Sequence, residues 1–90
     1  MNYPNPFERE TDITFNLTSA AEMATVKIYT VSGRLIRILE KPFAINFTVI
    51  HWDGRDEDGK EVANGVYYYK VSLKQEDKNI VEMGKMMKLK

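Results

Sequence analysis

Four carboxylates stand close together at Asp53, Asp56, Asp58 and Glu61. Calcium takes about six to eight oxygens, often from one loop, so this is the first place to test for a cation site. The EF-hand pattern fails here. After Asp56 and Asp58 the next ligand position holds Lys60, and Gly59 arrives too early. The same aspartates serve as turn residues, because Asp bonds its own backbone two residues on and a following Gly adopts angles that a Cβ forbids. Turn capping accounts for them without a metal. Carboxylate pairs also serve glycosidases, but that chemistry needs two acids facing across a cleft about 5 to 9.5 Å wide. Acids gathered on one loop of a short chain offer no such cleft. Ser32, His51 and Asp53 can be written as a triad, yet nothing in the spacing brings them together, and a triad is defined by geometry. His51 reads as a strand histidine on the surface. With no cysteine, there is no disulfide, thiolate metal site or thiol nucleophile. No catalytic residue, cofactor or metal is expected.

Two further sets of residues suit binding. Tyr68, near Tyr29, could form a carbohydrate platform, whereas Trp52, Tyr67 and Tyr69 are expected to be core aromatics. The chain ends in Lys85-Met86-Met87-Lys88-Leu89-Lys90, with no acid after Glu82. Lys85, Lys88 and Lys90 either guard a sheet edge or form an exposed handle for an acidic partner. Asn16-Leu17-Thr18 and Asn46-Phe47-Thr48 match the glycosylation pattern and read as coincidences within strands.

The elements that must position these residues centre on the stretch from His51 to Tyr69. It leaves a strand at Trp52, turns at Asp53-Gly54, Asp58-Gly59 and Asn64-Gly65, and enters a strand at Val66. Three such turn pairs in a row predict a connection of fixed shape. Around it, period-two alternation predicts six strands. Asp12 to Thr18 faces Ile13, Phe15 and Leu17 inward. Ala24 to Val31 turns Ala24, Val26 and Ile28 inward and joins Leu35 to Glu40 through a Ser32-Gly33 hairpin. Phe47 to Trp52 buries Ile50 and Trp52; Val66 to Leu73 groups Tyr67, Tyr69, Val71 and Leu73 on one face. Ile80 to Leu89 is last, with Gly84 as a bulge or close approach. Ser19 to Met23 is expected as a loop or one helical turn, Lys41 to Asn46 as a loop around Pro42, and Lys74 to Asn79 as a charged hairpin. Tyr3 to Phe7, with Pro4 and Pro6, is expected to lie extended along a sheet edge with Tyr3 and Phe7 pinned by the core. Short strands with regular turn signals and no helical period indicate an antiparallel sandwich or barrel.

Ninety residues make one domain, spanning 1–90. Thirteen basic and thirteen acidic residues give a pI near 6.6, without the positive field that generic nucleic-acid binding needs. No apolar run reaches the roughly 18 residues of a membrane helix, and the first residues are not a signal peptide. Export would make this chain a piece of a longer protein.

Five motifs occur in order: Tyr3-Pro4-Asn5-Pro6-Phe7, Val31-Ser32-Gly33-Arg34, Trp52-Asp53-Gly54-Arg55-Asp56 with Asp58-Gly59, Asn64-Gly65-Val66-Tyr67-Tyr68-Tyr69, and a lysine-ending last strand. Together they resemble the type A C-terminal sorting domain of the type IX secretion system and the related immunoglobulin-like domain of the flagellar hook-capping protein. The resemblance implies an immunoglobulin-like antiparallel β-sandwich of six to seven strands. It also implies a non-catalytic module at the C-terminus of an exported cargo protein, secreted or held at the cell surface, whose partner is the outer-membrane translocon or attachment machinery. A structural or adhesive module of an extracellular protein is the alternative. The last strand departs from the family pattern by carrying Met86, Met87 and Lys88.

Overall fold

A computed structural model describes residues 1–17, 19–76 and 78–89. The described residues form seven strands: β1 (Asn2–Tyr3), β2 (Thr11–Asn16), β3 (Ala21–Thr30), β4 (Leu35–Ala44), β5 (Phe47–Trp52), β6 (Gly65–Lys74) and β7 (Asn79–Lys88). They build an antiparallel immunoglobulin-like sandwich, with sheet order β1-β2-β5 facing sheet order β4-β3-β6-β7. The chain crosses between sheets after β2, after β4 and after β5.

The alternation seen in the sequence places the core. Ile13 and Phe15 from β2, with Ile50 and Trp52 from β5, meet Ala24, Val26 and Ile28 from β3 and Tyr67, Tyr69, Val71 and Leu73 from β6, all buried. Each large apolar side chain so buried contributes roughly 1.5 to 3 kcal/mol. Trp52 sits at the centre, edge-on to Phe7 at 5.5 Å and to Tyr67 at 6.0 Å between ring centroids.

Several segments differ from the sequence reading. β3 begins at Ala21, so most of the expected loop at Ser19 to Met23 is strand. β4 runs to Ala44 rather than ending at Glu40, with Pro42 paired against Met23. Proline is tolerated because β4 is an edge strand, which can lack a donor on its outer side. By alternation β4 would be apolar on both faces, with Leu35 and Leu39 on one and Ile36 and Ile38 on the other, and a bulge resolves this. Ile28 pairs with Arg37 and Tyr29 with Leu35, leaving Ile36 unpaired and buried while Leu35 and Ile38 stay largely outside. In the lead-in, Phe7 is buried but Tyr3 is 73% exposed. The buried member of β1 is Asn2, whose amide donates to Thr11 Oγ1 at 3.3 Å.

Gly84 is a close approach and not a bulge, since the β6–β7 register is continuous through the Tyr69–Gly84 pair. A Cβ on Gly84 would fall within the Tyr69 ring. Tyr69 is itself in the core and cannot swing clear. Gly84→Ala is therefore expected to lower stability by about 1 to 3 kcal/mol, the range for overpacking, read as a fall in the urea midpoint. An unchanged midpoint would show that the ring yields freely.

Candidate functional site

The connection between β5 and β6 is pinned at nearly every residue. Asp53 accepts the Arg55 N–H at 3.0 Å and the Arg37 guanidinium at 3.1 Å. Arg37, paired with Ile28 next to the β4 bulge, also donates to the Arg55 carbonyl at 2.9 Å. Trp52 Nε1 reaches the same carbonyl at 2.9 Å. Gly54 has φ of +74°, and a Cβ there would strike the Arg9 carbonyl oxygen, so both the backbone angle and the packing demand glycine. Its own carbonyl accepts Val62 N–H at 3.0 Å.

The second turn is capped by Asp56 and not by Asp58. Asp56 Oδ1 accepts the N–H groups of Asp58 at 2.9 Å and Lys60 at 3.0 Å, and the Asp56 carbonyl accepts Gly59 N–H, with Gly59 at φ +81°. The Asp58-Gly59 pair predicts this role for Asp58, but the capping carboxylate lies two residues earlier, on Asp56. Glu57 fastens the loop to the β4 edge, donating its N–H to the Ile36 carbonyl at 3.0 Å and accepting Ile38 N–H at 2.7 Å. Gly65, at φ +147°, then opens β6, and Tyr67 donates its hydroxyl to the Ala63 carbonyl at 2.6 Å. Burial raises the pKa of both Tyr67 and Tyr69, with Glu82 adding to the rise at Tyr69.

Three of the four acids are thus engaged by the protein itself. Asp53 faces Arg37, Glu61 faces Lys88 at 2.9 Å, and Asp56 holds backbone amides. Among the described residues no three acidic or histidine side chains converge as a metal site would require. Alanine at Asp53 or Asp56 is expected to cost about 0.5 to 1.5 kcal/mol each, the net worth of such bonds, and added calcium should leave the melting temperature where it is. A clear rise with calcium would reverse this reading.

The terminal lysines do not form one exposed handle. Lys85 is exposed. Lys88 is only 2% exposed: its ammonium donates to Glu61 Oε1 at 2.9 Å and to the Val62 carbonyl at 2.7 Å. This corrects the expectation of an exposed Lys88. Its position carries the signal, because Gly84, Met86 and Lys88 alternate on the inward side of β7, and Met86 is buried. Lys90 lies outside the described residues. Tyr68 and Tyr29 do meet, as directly paired residues on the outer face of the four-stranded sheet.

Ser32, His51 and Asp53 keep separate company. Ser32 bonds Thr30, Asp53 bonds Arg37, and His51 lies on the outer face of the small sheet. There His51 Nδ1 is 2.7 Å from Asp12 and Nε2 is 3.6 Å from Glu10. The hydrogen bond to Asp12 raises the histidine pKa; partial burial opposes it and Glu10 adds to it. A raised folded-state value means the stabilisation is fully present below 6.5, the ordinary value, and is lost as pH rises through the folded value. A proton NMR titration should place His51 above 6.5, and Asp12→Asn should bring it down toward 6.5. An identical titration in that variant would show that Asp12 does not hold the proton.

Residues 4–77, which include these turns, match a known family profile, that of the FlgD Ig-like domain. This chain belongs to the FlgD Ig-like domain family. No curated protein matches it by sequence. Among solved structures, this FlgD Ig-like domain is similar to part of dimeric latent PorU from Porphyromonas gingivalis, with a TM-score of 0.81 and 23% identity over 99% of the chain. It is similar to FlgD from P. aeruginosa, with a TM-score of 0.73 and 18% identity over 87% of the chain. It is also similar to PorZ, an essential bacterial surface component of the type-IX secretion system of P. gingivalis, with a TM-score of 0.65 and 26% identity over 100% of the chain. The domain spans 9% of PorU, 60% of FlgD and 11% of PorZ. The profile stops short of β7, whereas the likeness to PorU takes in nearly the whole chain.

Proposed function

We propose that this domain is a non-catalytic sorting and surface-attachment module of the type IX pathway, joined in its parent protein to an N-terminal cargo domain. On this reading the parent is secreted or held at the cell surface, after passage through the periplasm and outer membrane. The observation that carries it is the likeness to PorZ, a surface component of the type-IX secretion system, over 100% of the chain; the likeness to a PorU segment over 99% of the chain agrees with it in fold. The pinned β5–β6 connection fits a module that must present a rigid surface, since its polar groups are spent on holding shape. The recognition residues are Lys85 and Lys90, while Lys88 anchors the end of β7 to the β5–β6 connection. No nucleic acid or cofactor enters this reading.

The test is a reporter fused to the chain in a type IX-competent bacterium. Lys85→Ala with Lys90→Ala should keep the circular dichroism spectrum and the melting temperature, because surface substitutions stay within about 0.5 kcal/mol, while export falls. Normal export with an intact fold would remove these lysines from recognition. Failure of the unmodified fusion to be exported would favour the second reading, a structural or hook-cap-like extracellular module, which the likeness to FlgD supports.

A further inference from the structure

A sheet edge presents a row of unpaired N–H and C=O groups, and folded chains guard such rows. The β4 edge of the four-stranded sheet is guarded by Glu57 at Ile36 and Ile38, and by Pro42 beyond them. The β7 edge is guarded over only half its length. Asn5 donates its side-chain amide to the Lys85 carbonyl at 3.3 Å and accepts Met87 N–H at 3.1 Å. Phe7 donates its N–H to the Met87 carbonyl and accepts Leu89 N–H, both at 2.9 Å. These bonds fall on odd-numbered residues, so in an antiparallel strand the even-numbered ones bond β6. The same alternation points the N–H and C=O groups of Val81 and Met83 outward. Among the described residues none bonds them there. The two residues are 52% and 71% exposed.

On the outer face of the sheet the two rungs beside this open edge are basic, while the acid of the edge itself, Glu82, alternates to the opposite face. On the outer face Lys27 pairs with Lys70 and Lys70 with Met83, while the next rung runs Tyr29, Tyr68, Lys85. Like charges directly opposite one another are unfavourable, and neither rung holds an acid on β3, β6 or β7. A groove of about 400 Å³ lies between Tyr29, Tyr68, Lys70 and Met83.

We infer that the Val81–Lys85 edge of β7 takes up an extended segment of another protein, which adds to the sheet as an outer strand and places acidic side chains beside Lys70 and Lys85. Main-chain bonds to Val81 and Met83 supply the attraction, and the lysines select the sequence. Two copies of this chain suit the edge poorly. Pairing two β7 edges about Met83 would set Lys70 and Lys85 of both copies on one face with no acid between them. This inference does not depend on export.

The probe is a capped synthetic peptide, Thr-Glu-Val-Glu-Val-Glu-Thr, with a counterpart carrying lysine in place of glutamate, titrated into the full 90-residue chain and followed by amide NMR. The acidic peptide should slow exchange of the Val81 and Met83 amides about ten-fold at saturation, and bind about ten-fold tighter than the lysine peptide. Met83→Pro removes only an outward donor, so it should keep the melting temperature and abolish binding. Lys70→Glu with Lys85→Glu leaves the edge intact and should reverse the preference between peptides. That second variant decides the matter if the proline variant does not fold. Equal binding of both peptides, binding that survives Met83→Pro with an intact fold, no binding at millimolar peptide, or self-association without peptide that Met83→Pro abolishes would each overturn the inference.

Discussion

Trp52→Ala is expected to cost about 3 to 5 kcal/mol, the range for truncating a buried aromatic. The indole is fully buried, stacks edge-on with Phe7 and Tyr67, and donates Nε1–H to the Arg55 carbonyl. Its loss would empty the centre of the sandwich and free the first turn of the β5–β6 connection together. Domains of this size hold roughly 5 to 15 kcal/mol in all, so the variant should be partly or wholly unfolded at physiological temperature. Trp52→Phe separates the two contributions, because it keeps an aromatic ring and loses only the donor and part of the volume. Its cost should be well below that of alanine. Urea unfolding checks both. A midpoint unmoved by alanine would show that Trp52 is not central to the core.

That expectation could be formed from the sequence because one-face alternation is a local property. β2, β5 and β6 each bury one face, so Ile13, Ile50, Trp52, Tyr67 and Tyr69 announce their direction within a few residues. The resemblance to sorting and hook-cap domains rests on the turn pairs, which are local too, and the family match includes them. Where a neighbour decides the outcome, the sequence is mute. Pro42 reads as a breaker until β4 is known to be an edge, and Ile36 and Ile38 read as equivalent until the bulge sends one inward. Asp56 and Asp58 look alike, and only the backbone path of the turn makes Asp56 the acceptor. Tyr3 stays outside because Asn2 turns inward against Thr11.

The family motifs also acquire a mechanical meaning. The Tyr3-Pro4-Asn5-Pro6-Phe7 segment binds β7 through Asn5 and Phe7, while the β5–β6 connection binds β4 through Arg37 and Glu57. Each motif therefore covers part of one edge of the large sheet. What the motifs leave uncovered is the first half of β7, which is why that stretch, rather than the lysine-rich end, offers main-chain bonding to another protein.

The second large effect is expected at Lys88 and Glu61, and its signature is non-additive. A buried ammonium is costly unless it is paired, and removing one partner of such a pair typically costs about 3 to 5 kcal/mol. Lys88 is only 2% exposed, with Glu61 and the Val62 carbonyl as its hydrogen-bond acceptors, while the Glu61 side chain is 44% exposed. Glu61→Ala strands the ammonium on a single carbonyl. It should cost about 2 to 4 kcal/mol, trimmed because the carboxylate side opens to solvent. Lys88→Met keeps most of the stem's volume and removes the charge; the Glu61 carboxylate it leaves behind can reach water. That variant should cost less. Once Lys88 is methionine, Glu61→Ala should add little, so the double variant should be no less stable than Glu61→Ala alone. Equilibrium unfolding of the four proteins gives the coupling directly. Additive losses would mean that Glu61 supports the connection independently of Lys88. A coupled result would show that the end of β7 is locked to the β5–β6 connection by this pair, so that a change at either end is felt at both.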